Sequence, residues 1–99
     1  MNATMRLLQH IKTYISPGDF YRIELPTMAS PRSDDWVNGG LCPFHADRHP
    51  GSYYVNLKTG AFCCFSCDAN GGDIVSFLQL RDGLSFREAL RKLADEWGV

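Results

Sequence analysis

Cys42-Pro43-Phe44-His45 and Cys64-Phe65-Ser66-Cys67, separated by the 18 residues 46–63, decide how this chain folds. Three thiolates and one imidazole form a normal tetrahedral ligand set for a structural zinc ion. In each quartet two residues separate the ligands, so both side chains reach one ion. The stretch between the quartets is long enough for a hairpin, and the ion would clip two distant segments together. Four protein ligands leave no open position, so the expected role is structural, without activation of water. One Zn2+ per chain is the expected cofactor. Two disulfides are the competing reading of four cysteines, and His45 at ligand spacing argues for the metal. Metal-binding thiols point in turn to a reducing location, the cytoplasm.

Between the quartets, Tyr53, Val55 and Leu57 alternate with Tyr54, Asn56 and Lys58. Alternation of this kind predicts a strand with the first set buried and the second facing solvent. Lys58-Thr59-Gly60 is the turn, and Phe62 to Phe65 is the return strand. Neighbours on a strand point to opposite faces, so only one of Cys63 and Cys64 can face the metal. Spacing to Cys67 selects Cys64 and leaves Cys63 as a half-buried thiol.

Outside the hairpin, Leu7, Leu8, Ile11 and Ile15 predict a helix over Met5 to Ile15, ended by Ser16-Pro17-Gly18-Asp19. Phe20 to Leu25 reads as a strand stopped by Pro26, and Trp36 to Leu41 as a second strand entering the first quartet. Asp73 and Gly83 bracket one helix. Ser85 with Glu88 opens another as a capping box. Phe86, Ala89, Leu90, Leu93 and Trp97 form its apolar face, and both helices are expected to pack over the sheet. The fold class is α+β: an antiparallel sheet flanked by N- and C-terminal helices. A single domain over 1–99 is expected, with a metal-stapled core at 36–72 and two helices at 73–97.

The 99 residues carry a formal charge of −1. Three thiolates around a dication lower it to about −2. A strongly basic nucleic-acid binder is therefore excluded, and any nucleic-acid contact must be local. No 18-residue apolar run exists, so no membrane partner is expected, and Met1 to Arg6 lacks the apolar stretch of a secretory signal. Asp34 and Asp35, and Asp95 and Glu96, are scattered pairs. They do not make the carboxylate cluster that nucleotide polymerisation needs. The chain alone is expected to be non-catalytic, as a fragment or a small stand-alone protein.

Cys42-Pro43-Phe44-His45, Arg48 with Pro50, Ser52-Tyr53-Tyr54-Val55, Phe62, Cys64-Phe65-Ser66-Cys67, Gly71-Gly72-Asp73, Phe77 and Leu84 to Ala89 together resemble the CHC2-type zinc-binding domain of bacterial and phage-type DNA primases. The resemblance covers about residues 36–97. It implies a zinc-ribbon-like fold that binds single-stranded template DNA and helps a separate catalytic core begin an RNA primer. Ser66 and Asp68 stand where that family commonly has glycine, and Cys63 where it often has histidine. The candidate DNA contacts are Arg48, His49, Tyr54, Asn56, Lys58 and Phe65, since cations meet phosphates and rings stack on unpaired bases. The competing reading is a docking module that positions a primase core, a helicase or a plasmid or phage replication protein without touching DNA.

Overall fold

A short cap decides where each helix begins. The computed structural model describes residues 1–99. Helix α1 (Ala3–Tyr14) starts at Asn2, whose side chain accepts from the Met5 N–H at 2.8 Å. Ser16 then caps α2 (Pro17–Glu24), with Pro17 in the first turn, where a missing N–H costs nothing. The expected strand at Phe20 to Leu25 is thus a helix. Phe20, Tyr21 and Leu25 are buried while Arg22 and Ile23 face solvent, which is helical and not alternating spacing. Ser16-Pro17 ends one helix and also begins the next.

The sheet is antiparallel throughout, in the order β1 (Trp36–Asn38), β2 (Tyr53–Asn56), β3 (Phe62–Cys64), β4 (Asn70–Gly71). Strand β1 ends before Leu41, earlier than the sequence suggests. A side chain at Gly39 would stand 2.6 Å from the Tyr53 ring, so the chain there needs glycine and turns away. Strand β4 is two residues long, too short to show any periodicity. Register Val37–Val55–Phe62 and Tyr53–Cys64 puts these side chains on one face, and Trp36, Tyr54 and Cys63 on the other. The turn after β2 places Gly60 at φ +83°.

Helices α3 (Ile74–Asp82) and α4 (Phe86–Trp97) follow. Phe77 of α3 meets the Phe62, Phe44, Phe20 and Tyr21 rings edge-on at 5.7, 5.5, 5.6 and 5.2 Å. Phe44 is half-buried and the other four rings are fully buried, each of the four contributing about 1.5–3 kcal/mol of gross apolar burial. Helix α4 has the expected Ser85–Glu88 capping box. It packs against α3 and α1, one layer behind the sheet and not directly over it as expected. The Tyr21 hydroxyl donates to the Gly60 carbonyl at 2.6 Å, joining α2 to the hairpin tip. No helix is long and apolar enough to cross a membrane.

Candidate metal centre and outer sheet face

Two backbone turns bring four ligand atoms together. Cys42, His45, Cys64 and Cys67 each place one donor within 4.8 Å of the others. Cys42 Sγ and Cys67 Sγ lie 3.8 Å apart, and Cys64 Sγ lies 4.0 Å from His45 Nδ1. A tetrahedral ion with metal–sulfur bonds of about 2.3 Å sets its sulfurs about 3.8 Å apart, so the donor set fits one ion. No cysteine is in a disulfide. Turn N–H groups aim at the sulfurs, with Phe44 N donating to Cys42 Sγ at 3.4 Å. Burial pushes the Cys42 thiol up to about 12. For Cys64 burial also favours the thiol, but the Cys67 and Ser66 N–H groups outweigh it and hold the group below its ordinary value. Cys63 points to the opposite face, and burial raises it.

Asp47 supports this cluster and was not singled out by the sequence. Its Oδ2 accepts from the Cys42 N–H at 2.9 Å, and its Oδ1 stands 3.6 Å from His45 Nε2. The Cys42 N–H, aided by the His45 ring, keeps the carboxyl below the usual range. Nδ1 of His45 therefore faces the thiols while Nε2 faces a carboxylate. That arrangement fixes ring orientation in metal–histidine sites. The signal available was an aspartate two residues after a ligand histidine.

The outer sheet face presents the other candidates. Tyr54 and Phe65 meet edge-on at 5.9 Å, and Phe65 is 76% exposed. Arg48 and His49 are exposed on the loop before β2. Lys58 is exposed, with its Nζ 3.8 Å from Asp34 Oδ1. Asn56 is different: it is 7% exposed and leaves the candidate set. Its Oδ1 accepts from the Lys58 and Thr59 N–H groups at 2.9 and 3.0 Å, and its Nδ2 donates to Asp35 at 2.9 Å. An asparagine that bonds the backbone just ahead builds a turn, and this one is spent on doing so. Trp36, half-exposed beside these rings, was missed because the hairpin was read without its β1 neighbour.

Residues 25–99 match the CHC2 zinc finger family. The chain belongs to that family, in the form carried by bacterial-type DNA primases. This CHC2 finger is 48% identical over 60 residues to a DNA primase of Deinococcus radiodurans, covering 61% of the finger and 10% of that protein. It is 33% identical over 99 residues to a DNA primase of Rickettsia prowazekii, covering 100% of the finger and 16% of that protein. A crystal structure of the Aquifex aeolicus primase, comprising zinc-binding and RNA polymerase domains, superposes with a TM-score of 0.71 at 30% identity. It covers 99% of this chain and 22% of its own. The CHC2 finger thus spans about a tenth to a sixth of these curated relatives. Its four gathered donors are a candidate metal site of the kind the CHC2 zinc finger family is named for.

Within the CHC2 finger, the Asp68 backbone sits at φ +63°, closing the second turn through its N–H to the Cys64 carbonyl at 3.0 Å. That left-handed geometry explains why glycine suits the position, and aspartate tolerates it better than most residues.

Proposed function

We propose that this CHC2 finger holds single-stranded template DNA for a primase catalytic core during primer synthesis in the cytoplasm. One Zn2+, held by Cys42, His45, Cys64 and Cys67, would supply cross-linking of the two turns. The observation that carries the reading is the edge-on pair of half-buried Tyr54 and exposed Phe65 on the outer face of a metal-stapled sheet. Core rings lie on the other face, so this pair has no folding role to explain it. Arg48, His49 and Lys58 are the phosphate and base contacts nearest in the chain.

Charge limits how this binding works. Asp34 offsets Lys58, and Asp68 is exposed beyond β3. Stacking must therefore supply more of the affinity than phosphate neutralisation does. Each neutralised phosphate on a single strand contributes about −0.7 to the slope of log affinity against log salt. With one or two phosphates in reach, a slope of about −0.7 to −1.4 is expected. Titration of single-stranded DNA into isotope-labelled, zinc-loaded protein tests the proposal. Amide shifts at residues 48–65 with that shallow slope support it. Absence of shifts at low salt, or shifts confined to α3 and α4, favours the docking module, which the Lys58–Asp34 pairing makes the second reading.

A further inference from the structure

Where α1 packs on α4, Ala3, Thr4, Leu7, Arg87, Leu90 and Arg91 line a hollow of about 110 Å³. Arg87 and Arg91 stand one helical turn apart, a like-charge pair that weakens the helix carrying it. Lys12, Lys58, Lys92, Arg22 and Arg81 each have a carboxylate within ion-pair distance. Arg87 and Arg91 have none, and the neighbouring Glu88 carboxylate is spent on the Ser85 N–H. We propose that this hollow docks an acidic segment of a partner protein. One carboxylate side chain sits between the two guanidiniums, and an adjacent apolar side chain rests on Leu7. The inference goes beyond template binding, because none of these residues belongs to the outer sheet face.

The chemistry of the lining selects the occupant. A guanidinium offers parallel N–H donors that match a carboxylate bidentately. Ala3 and Thr4 add the positive end of α1, whose first turn carries no acidic residue. The floor is apolar, since Leu90 is buried and Leu7 half-buried. The arginine stems extend that apolar surface while their heads stay in water. A free inorganic anion leaves this floor unused, whereas a peptide brings a carboxylate and a hydrocarbon side chain together. Pockets for cofactors and drug-sized ligands run to about 300–1,000 Å³, so this one is too small for such a guest. A polyanion is disfavoured by charge: Glu88, Asp95 and Glu96 are exposed on the same helix. A strand with a phosphate at every nucleotide would run over those acids, and a single carboxylate would not.

The test uses isotope-labelled, zinc-loaded protein and the capped peptide Ser-Asp-Leu-Glu-Asp-Leu-Ser at millimolar concentration. Amide signals of residues 3–7 and 87–91, and the Nε–H signals of Arg87 and Arg91, should move. The counterpart with Asn for Asp and Gln for Glu should leave them still. Arg87→Gln and Arg91→Gln should each weaken the peptide about 2- to 5-fold, the range of a partly exposed ion pair. Arg91→Lys should restore only part of that loss, because an ammonium lacks the planar fork. All variants should keep their zinc and their spectrum elsewhere, and their titration with a thymidine dodecamer should match that of the wild type. No shift at residues 3–7 and 87–91 would overturn the inference, as would equal binding of the neutral peptide. A dodecamer that moves the Arg87 and Arg91 signals, and binds less well to the glutamine variants, would make the hollow a nucleic-acid surface and overturn the protein occupant.

Discussion

The two faces of the sheet carry rings in similar number, and those rings do opposite things. On the inner face Tyr53 and Phe62 are buried against Phe44 and Phe77. On the outer face Trp36 and Phe65 are exposed and Tyr54 is half-buried against Phe65. Inner rings are explained by folding and outer ones are not. Aromatic content alone therefore says nothing about function; the face does.

The strongest way to break this comparison is at adjacent residues on opposite faces. Cys64→Ser should abolish zinc binding and unfold much of residues 36–72, because metal binding and folding are coupled. Cys63→Ser should keep both, as read by metal analysis and circular dichroism. Intact zinc in the first variant and loss in the second would reverse the assignment. Acid gives a related result. Zinc needs deprotonated thiols, so its affinity falls as pH falls. The Asp47 carboxyl is depressed, so its bonds persist until pH drops below the ordinary carboxylate range near ~3.9. Zinc release should therefore precede the titration of Asp47.

Phe77→Ala should cost about 3–5 kcal/mol in denaturant unfolding of the zinc-loaded protein, as expected for a buried ring. Phe65→Ala should change stability by no more than about 0.5 kcal/mol. Equal losses would mean that the outer rings also support the fold. Asp47→Asn should lower zinc affinity about 10- to 100-fold in chelator competition, with the zinc-saturated fold unchanged. The smallest effect belongs to Asp68→Gly. Relief of the left-handed backbone should raise stability by up to ~1 kcal/mol. A loss instead would show that the aspartate side chain holds the turn.

Much of this was legible in the chain. The quartet spacing marked the four residues that the fold gathers, and alternation placed Tyr53 and Val55 inward. The capping residues Asp73 and Ser85 set both C-terminal helices. What failed did so for physical reasons. Phe20 to Leu25 is too short for strand and helix periods to separate, and the informative residue was Ser16, which caps α2. Alternation sent Asn56 outward correctly as to face, but its carboxamide folds back onto the turn. Trp36 and Asp47 depend on strand pairing and on a loop closing over a ligand, which spacing along one segment does not report.

The Tyr21–Gly60 hydrogen bond has a consequence for timing. Hairpin tips ordinarily fray, and their amides exchange with solvent through local opening. Here the tip is latched to α2, whose own rings are locked beneath Phe77. The tip cannot lift without detaching the helical layer, so the Gly60 amide, bonded to the Asn56 carbonyl at 2.8 Å, should exchange at the pace of the whole domain. A surface held this still would lose little freedom if the proposed template strand settled on it, and the ordering cost would fall on the strand.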